Sequence, residues 1–309
     1  MIRPVFIAPQ PTEGLLKAHV FPMEKYGLVR ADLEATGEVP AAEWRLASPA
    51  TRDQLRLVHT DAYLDDLFAC RWTERTIDSE LPLDEGLVTA FVGFTGGTIA
   101  ACRAALESGL AVHVGGGLHH AFADRAEGFC YLNDIAVGIR VLQRDGAITR
   151  AAVIDCDVHQ GNGTARIFAG DDSVFTFSIH QENLYPFAKE RGDLDVGLDD
   201  PIGDELYLDA LDAALGVVFG IGRPEFVVYQ AGADPFAGDL LGSLGLSKAG
   251  LAERDRRVLT ACAERGIPCA VTLGGGYAAD TADTVAIHAA TCRAALAAAP
   301  VLAESRAAQ

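Results

Sequence analysis

Short apolar runs rich in β-branched residues recur along the 309-residue chain, separated by longer segments with helical spacing. The apolar runs cover residues 5–8, 110–114, 151–155, 174–179, 226–231 and 269–273. The helical segments cover residues 86–109, 204–222, 246–266 and 286–299. This alternation predicts an α/β fold of three layers, with helices on both faces of a central, mostly parallel sheet. The length favours a single domain over residues 1–309.

Charge and cysteine usage narrow the range of partners and compartments. The chain has 43 acidic and 25 basic side chains, a formal net charge of −18. Nucleic acids and anionic membranes attract clustered lysine and arginine, so we expect neither as a partner. Seven cysteines without a CxxC pair indicate no disulfide framework and no cysteine zinc site. With no signal-peptide pattern and no run of about 20 uninterrupted apolar residues, we expect a cytoplasmic protein.

Polar side chains cluster directly after four of the predicted strands. In chain order they are His119 and His120, then Asp155, Asp157 and His159, then Asp234, and finally Tyr277. Parallel strands bring their carboxyl ends to one edge of the sheet, which is where α/β proteins bind ligands. The sequence therefore predicts a functional site at this edge. The long polar segment 180–205 is predicted to be a functional loop.

The spacing of Asp155, Asp157 and His159 points to a metal. Residues two apart share one face of an extended chain, and two carboxylates held that close repel unless a cation or a proton relieves them. We predict a metal held by Asp157 and His159, with Asp234 as a third ligand. Three protein ligands and one open position are typical of catalytic zinc, whereas oxygen-rich sets also bind Mn²⁺ and Fe²⁺, so the donor set leaves the metal open.

Four blocks of this sequence resemble the signature blocks of the zinc-dependent histone deacetylases. They are GGGLHHAFADRAEGFCYLNDIAVGI (115–139), IDCDVHQGNG (154–163), YQAGADPFAGDLLGSLGLS (229–247) and LGGGY (273–277). LVHTDAYLDDL (57–67) and HVFPMEKY (19–26) resemble the N-terminal blocks of that family. The resemblance is closest to class IV and bacterial members. It implies the arginase/deacetylase fold and hydrolysis of an N-acyl amide.

The resemblance also implies roles for individual residues. Asp157, His159 and Asp234 would bind one Zn²⁺. His120 would be the general base and later the general acid, and His119, paired with Asp155, would support it electrostatically. Tyr277 would donate a hydrogen bond to the substrate carbonyl and the oxyanion.

The same resemblance implies a substrate channel and a potassium site. An acyl-lysine channel would be lined by Gly128 and Phe129, with Tyr185 on the opposite wall. A K⁺ ion would be bound by Asp155, Asp157, His159, Ser178 and Ile179.

The chain departs from class I members at two positions. Asn162 stands where class I members pair the second histidine with an aspartate, and Gly27 stands near an arginine of their acetate exit. A neutral amide holds an imidazolium less strongly than a carboxylate does, so we expect a lower pKa for His120 than in carboxylate-paired relatives.

Three hypotheses follow. The first is a zinc-dependent deacylase acting on acyl-lysine in a peptide or protein, or on a small acylated amine such as an acetylpolyamine. The second is an arginase-like binuclear manganese hydrolase. The third is a catalytically silent ligand-binding or scaffold protein, which the filled catalytic positions disfavour. The acyl length and oligomeric state stay open.

Overall fold

The structure is a computed structural model that describes residues 3–307, except residues 13 and 18. The strands are β1 (Val5–Ile7), β2 (Trp44–Arg45), β3 (Leu110–His113), β4 (Ala151–Asp155), β5 (Val174–Gln181), β6 (Leu194–Leu198), β7 (Val227–Gln230) and β8 (Cys269–Thr272). The α-helices are α1 (Lys25–Ala35), α2 (Arg52–Leu55), α3 (Asp61–Phe68), α4 (Glu85–Ser108), α5 (Asp134–Arg144), α6 (Asn162–Ile167), α7 (Gly203–Val217), α8 (Lys248–Glu264) and α9 (Thr281–Ala307).

The strands form one parallel sheet in the order β2-β1-β3-β8-β7-β4-β5-β6. Successive residues of the central strands are buried on opposite faces: Val153 packs in the core beside α4 and α5, and its neighbour Ile154 packs in the core on the other face. Burial on both faces explains why these strands are continuously apolar. Helices α1, α7, α8 and α9 cover that second face, so the predicted three-layer α/β fold is confirmed.

Local sequence signals define the ends of the principal helices. The side chain of Asp84 accepts a hydrogen bond from the backbone N–H of Leu87 and caps α4, which ends at Gly109 with φ of 89°. Glycine adopts this left-handed conformation without steric cost. Ser247 caps α8 through the backbone N–H of Gly250, as its position before an amphipathic segment predicts.

The prediction of a continuous loop over 180–205 is wrong in part. Residues 194–198 form β6, which pairs with β5 at the edge of the sheet. Partial and full exposure alternate along β6 until Leu198, which is buried, because one face and one edge of the strand meet solvent. A strand of that kind lacks the continuous apolar character that marks the central strands in the sequence.

Two helices, α4 and α9, are long and apolar enough to cross a membrane by length and composition. In α4, 83% of the most apolar stretch is buried inside the fold, as in the core helix of a globular domain. In α9 the buried share is 50%, and this helix packs against α8 and α1. Length and hydropathy are therefore weak evidence for a membrane span in either helix.

Candidate active site

Four adjacent strands, β3, β8, β7 and β4, bring the predicted site residues to one edge of the sheet. The connection after β3 carries His119 and His120, and the one after β8 carries Tyr277. The connection after β7 carries Asp234. β4 ends at Asp155, and the connection after it carries Asp157 and His159. The chain passes from β3 to β4 across the positions of β7 and β8, so the site lies where strand order and chain order diverge, which is the usual ligand site of such sheets.

Asp157, His159 and Asp234 form a buried cluster whose ligand atoms all lie within 4.8 Å of one another. His159 Nδ1 lies 3.0 Å from Asp157 Oδ1 and 3.3 Å from Asp234 Oδ2. Asp234 Oδ1 accepts a hydrogen bond from the backbone N–H of Val158, whereas the buried Oδ2 has no hydrogen-bond partner among the described residues. Buried carboxylate oxygens require a partner, so this donor set fits a bound cation.

The electrostatics of the cluster also favour a cation. Burial and the neighbouring Asp157 raise the pKa of Asp234 to about 7. Burial opposes the charging of His159, but Asp157 and Asp234 outweigh it and raise its pKa to about 10. The carboxylates around His159 therefore stabilise positive charge, whereas the raised pKa of Asp234 follows chiefly from its burial.

The backbone curls directly after β4, which corrects the prediction that Asp155, Asp157 and His159 share one face. The strand ends at Asp155, whose Oδ1 accepts a hydrogen bond from the N–H of Asp157. Asp157 Oδ1 in turn accepts one from the N–H of His159. Aspartates commonly stabilise turns in this way, so the alternation of an extended strand stops there. Asp155 faces the histidine pair, and Asp157 faces the metal cluster.

The histidine pair is held by hydrogen bonds at both ends. His119 Nδ1 lies 2.7 Å from Asp155 Oδ2, His120 Nδ1 lies 2.7 Å from Asn162 Oδ1, and the two Nε2 atoms are 3.0 Å apart. Burial would lower the pKa of His119, but Asp155 and Asp157 raise it to about 9. Burial together with His119 and His159 lowers the pKa of His120 well below its usual value. The pair therefore combines a cationic ring with a neutral one.

Tyr277 closes the site from the side of β8. Its backbone N–H donates to Asp239 Oδ2 at 2.7 Å, and its ring packs edge-on against Phe21 and Phe129. Burial and the carboxylate of Asp234 raise the pKa of its hydroxyl well above the usual value. The hydroxyl therefore stays protonated and available as a hydrogen-bond donor.

A cavity of about 220 Å³ leads to these groups. Its lining comprises Glu80, His120, Gly128, Phe129, His159, Leu184, Tyr185, Leu241 and Tyr277. Gly128 has a φ of 50°, and a Cβ there would lie 2.8 Å from the ring of His120, so this wall requires glycine. The structure thus brings Gly128, Phe129 and Tyr185 to one cavity, and their role as a substrate channel stays a prediction.

Comparison with known proteins identifies the family of this chain. The family model of the histone deacetylase domain matches residues 19–292. The chain belongs to the histone deacetylase family. An uncharacterized protein of Picosynechococcus sp. is 39% identical over 297 residues, which cover 94% of this chain and 96% of that protein. Histone deacetylase 2 of Arabidopsis thaliana is 33% identical over 285 residues, 88% of this chain and 73% of the relative.

A solved structure supports the same assignment. The crystal structure of an HDAC homolog complexed with SAHA is 28% identical and has a TM-score of 0.81, covering 97% of this chain and 84% of that one. Members of the family are zinc-dependent deacetylase-type hydrolases, and the buried Asp-His-Asp cluster matches the metal requirement of such an enzyme. The chain is therefore an enzyme of this class.

The geometry disfavours the binuclear, arginase-like alternative. Among the described residues, Asp157, His159 and Asp234 are the one group of three or more such side chains close enough together to hold a metal ion. Asp239, the other carboxylate after β7, accepts hydrogen bonds from the backbone N–H groups of Tyr277 and Leu241. Both of its oxygens thus bind the backbone around the tyrosine turn, and it does not belong to the candidate metal cluster.

The residues assigned to K⁺ by resemblance lie on neighbouring strands. Ser178 pairs with Asp155 in the parallel ladder between β4 and β5, and Ile179 follows it. The Ser178 hydroxyl lies 2.9 Å from His180 Nδ1. The two segments are adjacent, and K⁺ binding between them stays a prediction.

Some residues of the site carry no obvious signal in the sequence. Lys25 is fully buried, and its ammonium donates to the carbonyls of Gly274 and Gly276 at 2.9 and 3.2 Å, below the turn that carries Tyr277. Burial lowers its pKa to about 8 although Asp234 and Asp157 oppose that change. Gly27, two residues further along the chain, lines a separate cavity of about 500 Å³.

Gln230 at the end of β7 is a second such residue. Its Nε2 donates to Asp157 Oδ2 at 2.8 Å, and its Oε1 accepts from the N–H of Gly232. It thereby orients one candidate ligand and the turn that leads to another. In the sequence it is marked only by its place at a strand end and within the block 229–247, and neither gives it a role.

Proposed function

We propose that this member of the histone deacetylase family is a zinc-dependent amidohydrolase that removes an acyl group from N-acyl-lysine or a similar N-acyl amine. The observation that carries the proposal is the buried Asp157, His159 and Asp234 cluster beside the histidine pair, at the foot of a cavity lined by Tyr277. Zinc bound by these three residues would polarise the acyl carbonyl and make the attacking water more acidic.

The side chains around the cluster would then move protons and stabilise charge. His120, with Nδ1 hydrogen-bonded to Asn162, offers Nε2 as the base that accepts a proton from water and returns it to the leaving amine. His119, held cationic by Asp155, stabilises negative charge that develops beside it. The hydroxyl of Tyr277 donates to the developing oxyanion.

The lining of the cavity supports a flexible acylated chain as substrate. Phe129, Leu184 and Leu241 provide apolar walls for the methylene groups of a lysine or an acyl chain, and Glu80 adds a carboxylate to the same lining. A carboxylate there suits a substrate with a further cationic or N–H group, as in a peptide or a polyamine. Both substrate types belong to the proposal, as does a cytoplasmic location.

The experiment is a substrate panel on zinc-loaded protein in K⁺ buffer. Acetyl-, octanoyl- and myristoyl-lysine peptides are compared with acetylated polyamines, with His120→Ala as the control for turnover. Release of an amine from at least one class, abolished in the variant, supports the proposal. Stoichiometric binding without turnover would favour the scaffold hypothesis. Repeating the panel with Na⁺ in place of K⁺ tests the proposed monovalent site, since turnover independent of K⁺ would argue against it.

A further inference from the structure

A carboxylate lies one hydrogen bond beyond the pair formed by His120 and Asn162. His120 Nδ1 is 2.7 Å from Asn162 Oδ1, and Asn162 Nδ2 donates to Glu127 Oε1 at 2.6 Å. Asn162 is fully buried and Glu127 is largely buried, with 18% of its side chain exposed. The three side chains form a line of two successive hydrogen bonds that leads away from the active-site imidazole.

The chemistry of a carboxylate fixes the direction of this line. An ionised carboxylate only accepts hydrogen bonds, so the NH₂ group of Asn162 faces Glu127 and its carbonyl oxygen faces His120. An oxygen at that point accepts a hydrogen bond only if Nδ1 of His120 carries the proton. The neutral imidazole then has its lone pair on Nε2, the atom that faces His119 and the site.

Without Glu127 no partner of the Asn162 NH₂ group fixes the amide, and the Nδ1–H tautomer of His120 rests on the contact between its Nε2 and His119 alone. A flipped Asn162 presents its NH₂ group to Nδ1 of His120, which then must act as acceptor. The imidazole proton moves to Nε2, and this tautomer cannot accept a proton there. The orientation of the Asn162 amide therefore affects whether Nε2 of His120 can accept a proton.

Glu127 is itself held in place. Its Oε2 lies 3.3 Å from Arg125 Nη2, and its backbone exchanges hydrogen bonds with that of Cys130. The hydroxyl of Tyr185 donates to Oε1 at 3.4 Å, and the Tyr185 ring stands edge-on to His120. Glu127 thus links Tyr185 in the cavity wall to Asn162, the hydrogen-bond partner of His120.

We propose that Glu127 is a positioning residue that fixes the amide of Asn162 and thereby the Nδ1–H tautomer of His120. Glu127 also gives a reason for an amide at position 162. An aspartate there would place two carboxylate oxygens about 2.6 Å apart, which is unfavourable unless they share a proton. The catalytic consequence rests on the proposed deacylase function, whereas the tautomer itself does not.

The kinetic test is a double-mutant cycle on zinc-loaded protein with the best acyl substrate. Glu127→Ala is expected to lower kcat about tenfold with little change in KM, and Glu127→Gln less, because its carbonyl can still accept from Asn162. Asn162→Asp alone is expected to lose activity. Glu127→Gln combined with Asn162→Asp is expected to recover most of it, since glutamine can donate to the new carboxylate. Asp124→Asn, an exposed neighbour that also contacts Arg125, is the matched control.

The second readout needs no turnover. In ¹⁵N-histidine-labelled, zinc-loaded protein, the signals lost in His120→Ala identify this ring, and their shifts report which nitrogen carries the proton. Wild type is expected to show Nδ1–H, and Glu127→Ala a mixture of tautomers. The proposal is overturned if Glu127→Ala keeps the wild-type tautomer, or if the double variant is no more active than Asn162→Asp. Absence of turnover in wild type would instead remove the proposed function and leave the tautomer result intact.

Discussion

His59 should make this protein sensitive to mild acid. It is a buried histidine, 2% exposed, beneath the loop that carries His119 and His120, and its Nε2 accepts a hydrogen bond from the backbone N–H of Asn133. Burial lowers its pKa from 6.5 to about 4. Between these values the unfolded chain binds a proton that the folded chain excludes, so the free energy of unfolding falls as the pH falls.

The size of the effect follows from the two pKa values. The interval from 6.5 to about 4 corresponds to about 3 kcal/mol once both states are protonated, and about 2 kcal/mol is already lost between pH 7.5 and pH 5. His59→Gln removes the titrating group and keeps an acceptor near the position of Nε2. The variant is expected to be somewhat less stable at pH 7.5 but to lose about 2 kcal/mol less than wild type on acidification.

The assay is urea unfolding at pH 7.5 and pH 5, with EDTA in all samples so that release of metal in acid contributes equally. His19→Gln, at a partly exposed histidine, is the control and should keep the wild-type dependence. If wild type and His59→Gln lose the same free energy between the two pH values, the reasoning from burial is refuted.

Three further changes test the site directly. Tyr277→Phe should lower kcat about 10²- to 10³-fold in steady-state assays, because the oxyanion donor is lost while the ring still packs on Phe21; near-normal kcat would contradict this. Asp234→Asn should leave dialysed protein largely free of zinc by elemental analysis, and full zinc content would remove Asp234 from the ligands. Lys25→Met should lower the free energy of unfolding by about 1–3 kcal/mol, because the buried carbonyl of Gly276 loses its side-chain donor and that of Gly274 keeps only the Tyr26 hydroxyl; unchanged urea unfolding would contradict this.

Much of the fold follows from local sequence patterns. The predicted run 151–155 is β4 to the residue, and Ser247 caps α8 within the predicted helical segment 246–266, because continuous apolar runs and capping residues act over a few positions. Edge strands are different. β2 has only two residues, and β6 is largely exposed, so neither carries the continuous apolar run that marks a central strand. The shared face assigned to Asp155 and Asp157 failed because a turn begins where the strand was assumed to continue.

The candidate site likewise contains residues that the sequence predicts and residues that it does not. Groups at strand ends could be predicted, because a parallel sheet collects them at one edge whatever the details of the loops. Lys25 could not, since a lysine in the stretch PMEKY looks like a surface residue and is buried only because residues 274–276 fold over it. Glu127 was equally hidden, because its contact with Asn162 depends on how two separate loops meet.

The placement of β8 has a consequence for biosynthesis. Among the strands that the structure describes, it is the last to be made, yet it lies between β3 and β7, in the middle of the sheet. The earlier strands therefore cannot close into a complete layer before β8 is synthesised, and the tyrosine turn arrives only after it. A nascent chain halted before residue 269 should neither gain the metal centre nor protect its inner strands from hydrogen exchange, so acquisition of zinc would report that translation has passed the last strand.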